Sequence, residues 1–404
     1  MPGQTKGGDG GPHDDENGPR EACVSGLLND TQREVRELAR DFAERRVAPH
    51  AAEWNARHEI PRDVLRDLGA MGFLAVAVPE EYGGAGLDST CLALVITELA
   101  RADAGLSVTV AVQNGLVCSP ILRAGTEEQK RTWLPRLASG EVFGAYALTE
   151  PDAGSDAASL RATATRDGDG WRISGSKMWI TNGGFAGVLV VFARTGGQGS
   201  GGVSAFIAEP GEGFEAGPEL AKMGLHSSST VGLTFDGLRV GADAMLGEEG
   251  QGLKLALATL DGGRITVAAQ ACGIAQAAVD LAVDYARHRE AFGGRIARFQ
   301  GVQFPVADAS AKLDAARLLM LHAAALRDAG LPYRAEGAKA KLFASAVAVE
   351  AADVAVQTLG GYGYSAEYPA ERLYRDAKIT ELYEGTSQIQ RLVIARELWG
   401  ADAR

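Results

Sequence analysis

The stretch WRISGSKMWI, residues 171–180, lies between two turn signals, Asp169-Gly170 and Gly183-Gly184. Short runs that are rich in β-branched and aromatic residues and bounded by glycines predict β-strands. Three further runs of this kind follow along the chain: VLVVFA at 188–193, VSAFIA at 203–208 and TVGLTF at 230–235. We therefore expect a small antiparallel β domain over residues 146–247.

The chain on both sides of this β domain has the pattern of helices. In TQREVRELARDFAERRVAPH, the apolar residues Val35, Leu38 and Phe42 recur at helical spacing and predict one buried face. After Gly252, long alanine-rich runs such as ITVAAQACGIAQAAVDLAVDYARHR have the length of bundle helices. The expected fold is mainly α with a middle β domain: a helical domain at 27–145, the β domain at 146–247 and a helical bundle at 248–404.

Composition and charge exclude several classes of protein. The 404 residues carry a formal net charge of −12, which argues against nucleic acid as a partner. No uninterrupted apolar run reaches the length of a membrane span, so we expect no membrane-spanning segment. Residues 1–26 are rich in Gly, Pro and acids, lack the apolar block of a secretory signal, and predict a disordered tail. The chain has four cysteines, Cys23, Cys91, Cys118 and Cys272. Their spacing is typical neither of a disulfide framework nor of a metal site, so we expect a cytoplasmic protein without a metal.

The stretch AYALTEPDAGSD, residues 145–156, concentrates hydrogen-bonding groups in a short turn. The hydroxyls of Thr149 and Ser155 and the backbone N–H groups of the PDAG turn can bind a flat heteroaromatic ring or a phosphate. An ordinary polar turn entering a strand explains the same residues equally well.

The stretch KMWITNGG, residues 177–184, places Trp179 two residues before Thr181. Side chains two apart share a face of a strand, so this pair could offer an aromatic wall beside a hydroxyl donor, which suits a flavin. A core tryptophan beside a surface threonine is the alternative.

Two later stretches have the character of phosphate or ligand contacts. In RHREAFGG, Arg289 follows a long helix and could clamp a pyrophosphate, although arginines at helix ends are more often solvated. In QTLGGYGY, Gly360 and Gly361 predict the end of a helix, and they also let a ligand approach the backbone.

Residues 381–391, ELYEGTSQIQR, contain an acid just before a predicted helix start. Ser387 and Gln390 form the S-x-x-Q pattern of a capping box, which places the helix start near Ser387. Glu384 then lies outside the helix, where the positive end of the helix dipole favours its anionic form. Spacing alone favours a surface acid over a catalytic one.

As an ordered set, the motifs TEPDAGSD, MWITNGG, RxxFG, QTLGGYGY and YEGTSQIQRLVIARE resemble those of the acyl-CoA dehydrogenase family, over nearly all of residues 27–398. This resemblance implies an α–β–α architecture whose last domain is a four-helix bundle. It also implies FAD bound between the β domain and the bundle, a homotetramer in which a neighbouring subunit completes the FAD site, and an electron-transferring flavoprotein as electron acceptor.

The resemblance further implies roles for individual residues. Those lining the flavin, with Thr181 near its N5, would be Tyr146, Leu148, Thr149, Gly154, Ser155, Trp179, Ile180, Thr181, Thr386 and Gln388. Those reaching the FAD of an adjacent subunit would be Arg289, Phe292, Gln300, Gln357, Gly360 and Gly361. Those contacting the acyl-CoA substrate would be Ser155, Asp261, Arg264 and Gly385.

Glu384 matches the catalytic base of this family. The implied reaction is α,β-dehydrogenation of an acyl thioester, in which a carboxylate removes the α-proton and the β-hydrogen leaves as hydride to the flavin. Some family members carry the base on the bundle helix, directly before the arginine of TLDGGR. That position is Gly263 in this chain.

Substrate and acceptor stay open at this stage. The stretches VQNGLVCSPIL and TLDGGRITVAAQACGIA resemble short-chain, butyryl-type members most. A branched or carrier-protein-bound acyl thioester, a flavin oxidase or monooxygenase on the same fold, and a non-catalytic acyl-CoA-binding protein are the alternatives. Two residues depart from the family pattern: His226 replaces a frequent arginine, and Pro305 replaces a frequent lysine and should start or kink its helix.

Overall fold

The computed structural model of the chain describes residues 26–197 and 199–400. The predicted tail, residues 1–26, and Cys23 lie outside the described residues apart from Gly26. Within the described part, the helices that precede the sheet are α1 (Asp30–Phe42), α2 (Ala51–Arg57), α3 (Arg62–Ala70), α4 (Ser89–Ala102), α5 (Ala104–Ala111), α6 (Ser119–Ala124) and α7 (Glu127–Ala138).

The first helix follows the predicted pattern with one exception. Asn29 caps α1 through a capping box with Gln32, and the side chains of Val35 and Phe42 are buried. Leu38, which we placed on the same face, is 55% exposed. Because the helix rotates by 100° per residue, a stripe that spans positions 35 to 43 extends past the edge of the buried face at Leu38.

The strands of the middle domain are β1 (Gly144–Ala147), β2 (Thr163–Asp167), β3 (Gly170–Thr181), β4 (Val188–Arg194), β5 (Val203–Ala208), β6 (Phe214–Glu219) and β7 (Thr230–Val240). They form one sheet in the order β1-β4-β2-β3-β7-β6, with β5 also paired to β4. The four strands predicted from the sequence are present. The edge strand β6 was missed because Pro218 and Gly217 are unfavourable in strands and are tolerated at an edge.

The expectation of a purely antiparallel sheet is wrong. Strand β1 pairs with β4 in parallel, from Gly144 opposite Val188 to Ala147 opposite Val191, and β2 meets β4 in parallel as well. Parallel neighbours need a long connection, and the chain between β1 and β4 provides one that contains β2 and β3. Short hairpin signals, which guided the prediction, do not report such crossovers.

The C-terminal part consists of α8 (Gly252–His288), a two-stranded hairpin of β8 (Glu290–Ala291) and β9 (Gly294–Arg295), α9 (Gln300–Asp328), α10 (Arg334–Leu359), α11 (Ala370–Ile379) and α12 (Ser387–Trp399). Helix α10 packs against α8, α9, α11 and α12 through buried small residues such as Ala344 and Ala348. The prediction that Pro305 could start its helix is wrong, since α9 begins at Gln300 and continues through Pro305. Only one helical hydrogen bond is lost at a proline so near the first turn.

Among the residues that the structure describes, three helical stretches are long and apolar enough to cross a membrane by length and composition, although each contains charged or polar residues: Ala104–Ala124, Gly252–His288 and Arg334–Tyr362. Their most apolar windows are 89%, 78% and 44% buried within the fold, respectively.

A buried junction joins all three parts of the chain. Asp103, between α4 and α5, accepts hydrogen bonds from Leu106 N at 2.7 Å and from the Ser227 hydroxyl at 2.7 Å. Asp376 on α11 accepts from Leu225 N at 2.6 Å. His226, between these contacts, stacks on His58 with ring centroids 4.7 Å apart. His226 therefore has a local structural contact in place of the arginine that the family often carries.

We expect Asp376→Asn to make the protein less sensitive to rising pH. Burial, with a contribution from Asp103, raises the pKa of Asp376 from 3.8 to about 7. The folded protein therefore keeps a proton that the unfolded chain releases, and this stabilisation is full below pH ~4 and lost as pH rises through ~7. The loss is at most about 4 kcal/mol, or roughly 5 °C in Tm for a chain of this length.

The measurement is thermal unfolding of both proteins between pH 5 and pH 8. The wild type should lose more Tm over this interval than Asp376→Asn, and Asp353→Asn, at an exposed aspartate on α10, should follow the wild type. Equal slopes for wild type and Asp376→Asn would contradict the assignment.

Candidate active site

Glu384 lies in a tight turn between α11 and α12. Its backbone φ is 50°, in the left-handed region, and Gly385 follows with φ 93°. A non-glycine residue in this region is strained and persists only where its surroundings hold it. Thr386, not Ser387, is the N-cap of α12, and its hydroxyl accepts from Ile389 N at 3.3 Å. The predicted helix start near Ser387 is confirmed, but the predicted capping box of Ser387 and Gln390 is wrong, since Ser387 is the first residue of the helix and not its cap.

Two buried side chains donate hydrogen bonds to the backbone of this turn. The Lys341 ammonium on α10 donates to the Gly385 carbonyl at 2.7 Å, and the Gln390 amide donates to the same oxygen at 2.7 Å. Gln390, expected to complete a capping box, is used for this contact because its side chain lies beneath the turn. The hydroxyl of Tyr383 donates to the Gln270 side chain on α8. The turn is thus attached to two bundle helices.

The carboxyl group of Glu384 lies against α8 at Gly263. A Cβ on Gly263 would be 1.8 Å from Glu384 Oε2, so this close approach requires glycine. The residue as a whole is half-buried, yet Oε2 is shielded from solvent and has no hydrogen-bond partner. A shielded, unpartnered carboxyl oxygen is unusual and indicates a functional group.

The electrostatic setting of Glu384 suits a proton acceptor. Burial raises the pKa of Glu384 from 4.5 to about 7, and the charges of Lys341 and Arg264 oppose part of this rise. The helix dipole, which led us to expect a stabilised anion, is outweighed by desolvation. A carboxylate with a pKa near the operating pH is matched to general base catalysis.

Asp261 and Arg264, predicted beside the substrate, lie on the same stretch of α8 as Gly263. The Arg264 guanidinium forms an ion pair with Asp261 at 2.7 Å, and Arg334 approaches the same carboxylate at 3.6 Å. Burial lowers the pKa of Arg264. The structure therefore brings Glu384, Gly385, Asp261 and Arg264 together.

Eight of the ten residues predicted to line a flavin come from two adjoining segments of the β domain, and the other two, Thr386 and the exposed Gln388, lie at the start of α12. Met178 N donates to the Thr149 carbonyl at 2.9 Å. The buried Lys177 ammonium binds the Leu148 carbonyl at 3.1 Å and the Glu150 carboxylate at 2.8 Å. This buried pair fixes the start of the TEPDAGSD turn against β3.

Trp179 does not occupy a regular strand position. Strand β3 has a register shift between Lys177 and Ile180, and Trp179 there has φ 63°. Its side chain is 57% exposed, whereas the Ile180 side chain is buried and that of Thr181 is half-buried. Simple alternation could not predict this bulge, which exposes the indole.

Tyr146 lies between the sheet and the bundle. Its ring packs on Phe192 with centroids 4.9 Å apart, and its hydroxyl donates to the Ala256 carbonyl of α8 at 3.3 Å. Burial, together with the charge of Glu384, raises the pKa of Tyr146. Gly154 and Ser155 lie on the exposed side of the turn that follows.

A second group of predicted residues gathers elsewhere in the chain. Arg289, Gly360 and Gly361 line a groove of about 520 Å³ between the C-terminal ends of α8 and α10, and Arg289 lies over the ring of Tyr362 at 5.8 Å. Gly360 is nineteen residues beyond Lys341 along α10, roughly 28 Å at 1.5 Å per residue. Phe292, Gln300 and Gln357, predicted for the same group, are exposed. One chain therefore does not bring this groove to Glu384.

Sequence reasoning missed Lys341 and the Lys177–Glu150 pair. A signal for Lys341 was present, because a lysine in the small-residue helix GAKAKLFAS shares a face with Ala338, Ala344 and Ala348. Lysine on an apolar helical face is costly unless it has a partner. No group of three or more His, Cys, Asp or Glu side chains in the described part of the chain could hold a metal ion.

Comparison with known proteins defines the class. Family models for the acyl-CoA dehydrogenase N-terminal, middle and C-terminal domains match residues 29–141, 145–238 and 250–399. The chain belongs to the acyl-CoA dehydrogenase family and is an oxidoreductase, in a family that depends on FAD.

The chain is similar over most of its length to three proteins of known name or structure. The mitochondrial short-chain specific acyl-CoA dehydrogenase of Bos taurus is 46% identical over 373 residues, covering 92% of this chain and 90% of that protein. Butyryl-CoA dehydrogenase from Megasphaera elsdenii has a TM-score of 0.90 and 43% identity, covering 92% of this chain and 98% of that one. A chain from the structure of the electron transferring flavoprotein of Acidaminococcus fermentans has a TM-score of 0.91 and 46% identity, covering 92% and 99%.

Proposed function

We propose that this chain catalyses the FAD-dependent α,β-dehydrogenation of a short-chain acyl-CoA thioester to the trans-2-enoyl-CoA, with Glu384 as the base that takes the α-proton. The observation that carries this proposal is the shielded, unpartnered Oε2 of Glu384, on a carboxyl group whose pKa is about 7. A carboxyl group with a pKa near the operating pH is matched to the role of general base.

The chain's own residues would orient the thioester. Gly385 follows the base directly, and its backbone N–H is available to polarise the thioester carbonyl and acidify the α-carbon. Asp261 and Arg264, paired at 2.7 Å on α8, would contact the acyl-CoA beside this point. The proton would move from the α-carbon to Glu384 Oε2, which faces the glycine surface of Gly263.

The residues of the β domain fit FAD. The exposed indole of Trp179, the hydroxyls of Thr149 and Thr181 and the open surface at Gly154, where a Cβ would meet no atom within 4 Å, suit a flat ring with polar edges. Bound FAD would supply the acceptor for the β-hydrogen as a hydride. Gly360 and Gly361 are equally open and border the groove that contains Arg289, which suits a pyrophosphate.

A second subunit is part of this proposal. The groove at Arg289 and Gly360 lies roughly 28 Å along α10 from the Glu384 turn. Residues so far apart in one chain would serve one FAD through a neighbouring copy, which supports an assembly of at least two chains, and the homotetramer stays a prediction. An electron-transferring flavoprotein as the acceptor and a cytoplasmic location stay predictions.

The tail of a short acyl chain would lie beside the buried segment that contains Gly115. Gly115, in a buried π-helical turn at Val112–Cys118, is open, since a Cβ there would meet no atom within 4 Å. The next residue, Leu116, approaches the Cβ position of Gly263 at 3.6 Å. We propose that the tail of the acyl group enters here. The identity to a short-chain specific dehydrogenase supports the same substrate class.

The test is anaerobic bleaching of the bound flavin by a panel of acyl-CoAs from four to twelve carbons, with isobutyryl-CoA and 2-methylbutyryl-CoA. We expect butyryl-CoA to bleach fastest. Faster bleaching by long chains would exclude the short-chain assignment. Preference for the branched substrates, or for carrier-protein thioesters, would favour those alternatives. Rapid reoxidation of the substrate-reduced enzyme by oxygen would indicate an oxidase, and no bleaching by any thioester a non-catalytic binding protein.

A further inference from the structure

Lys341 is a buried lysine without a carboxylate partner. Its side chain is fully buried on α10, and among the described residues no carboxylate oxygen lies within 4 Å of its ammonium. The other fully buried lysine, Lys177, has such a partner in Glu150 at 2.8 Å. Burying an ammonium without an ion pair is costly, so a lysine at this position requires a specific reason.

The contact that Lys341 does make is with the Glu384 turn. Its ammonium donates to the Gly385 carbonyl at 2.7 Å, beside the Gln390 amide on the same oxygen. Glu384 and Gly385 both have positive φ, 50° and 93°. A turn of this kind needs external contacts to hold it, and a charge-assisted hydrogen bond is among the strongest that a side chain can offer.

We propose that Lys341 is a positioning residue for the reaction: its ammonium anchors the Gly385 carbonyl, so that the Glu384 carboxyl group stays against Gly263, and its charge favours the carboxylate form. This inference rests on the proposed role of Glu384 as the base. Lys341 acts through the turn, because its ammonium contacts the Gly385 carbonyl.

The positive charges around Glu384 favour its carboxylate form, as this role requires. Lys341 from α10 and Arg264 from α8 both oppose the rise that burial causes in the pKa of Glu384. Asp261 and Arg334 pair with each other near Arg264. The other titratable groups that face the carboxyl group are the hydroxyls of Tyr146 and Tyr383. They stay protonated because burial raises their pKa values. Burial also lowers the pKa of Lys341 to about 8, and the charge of Glu384 partly restores it. Near pH 7 the ammonium and the carboxylate therefore coexist.

The experiment compares Lys341→Met, Lys341→Gln and Lys341→Arg with the wild type, each purified with its flavin. The readouts are the rate of anaerobic bleaching by butyryl-CoA from pH 5.5 to 9 and a crystal structure of Lys341→Met. Lys339→Met, on the same helix and ion-paired to Glu336 at 3.2 Å, is the matched control for loss of a lysine charge.

For Lys341→Met we expect the bleaching rate at pH 7 to fall by about 10- to 100-fold with flavin retained. The midpoint of the pH profile should rise by about one unit, because the carboxylate loses the positive charge that lowers its pKa most. The crystal structure should show residue 384 out of its left-handed conformation. Lys341→Gln should keep the turn but share the raised midpoint, Lys341→Arg should restore the wild-type midpoint, and Lys339→Met should match the wild type.

An unchanged midpoint in both Lys341→Met and Lys341→Gln would overturn the inference. If Lys341→Met does not fold, the midpoint of Lys341→Gln decides alone. Failure of the proposed function is recognised separately: if Glu384→Gln is bleached at the wild-type rate, Glu384 is not the base, whatever the Lys341 variants do.

Discussion

Glu384→Gln is expected to retain its flavin and to lose bleaching by butyryl-CoA by about 10³-fold or more, at the upper end of what general base catalysis contributes. Glutamine has nearly the same shape as glutamate and can occupy the site against Gly263, but its amide cannot accept a proton from carbon. Because Glu384 Oε2 has no hydrogen-bond partner, the substitution removes no described contact of that atom. The loss should therefore appear in the rate and not in folding.

The measurement is stopped-flow bleaching between pH 5.5 and pH 9. In the wild type the rate should rise with pH through about 7, because the base acts in its deprotonated form. The residual rate of Glu384→Gln should lack this rise. Glu381→Gln, in the same segment and ion-paired to Lys378 on the surface, is the control and should behave as the wild type. Substrate-driven bleaching at the normal rate in Glu384→Gln would remove Glu384 from the mechanism.

Gly263→Ala is expected to lower the rate by about 100-fold while leaving the fold intact. The added methyl group would lie 1.8 Å from Glu384 Oε2. This distance is far below van der Waals contact, so the carboxyl group must rotate away. A displacement of about 1 Å from reacting geometry can cost 10²-fold. In the interior of α8, alanine is favoured over glycine by about 1 kcal/mol, so stability should not fall.

A matched control separates these effects. Gly337→Ala also adds a methyl group to a buried helical glycine, but there the nearest atom is the Asp261 carbonyl oxygen at 3.5 Å, an ordinary contact. We expect Gly337→Ala to bleach at nearly the wild-type rate. A wild-type rate in Gly263→Ala, with a crystal structure showing Glu384 unmoved, would contradict the close contact described above.

Much of the architecture could be read from the sequence because the signals are local. Strand β3 was predicted within one residue at each end, and β5 matches its predicted bounds of 203–208, since β-branched runs between glycine turns have few alternatives. The parallel pairing of β1 with β4 was not predictable in this way. It depends on a crossover of some forty residues, which leaves no short-range pattern.

The candidate site also combines features that the sequence predicted with features that it did not. The motif YEGTSQIQR identified Glu384 only through the ordered set of motifs along the whole chain, because its own spacing favoured a surface acid. Local rules predicted a regular strand at Trp179 and a cap at Ser387, whereas the structure has a bulge at Trp179 and the cap at Thr386. In each case a tertiary contact of the backbone or side chain overrides the regular pattern.

The sequence by itself determined the order of helices, sheet and helices and the family resemblance, because these depend on periodicity and on residue types at fixed spacing, and the resemblance made Glu384 the candidate base. Only the tertiary structure decided the state of that acid. Gly263 on α8 leaves room for its carboxyl group, Lys341 on α10 anchors its turn, and burial moves its pKa to about 7. Desolvation and charge act through space between residues distant in sequence, and no local pattern reports them.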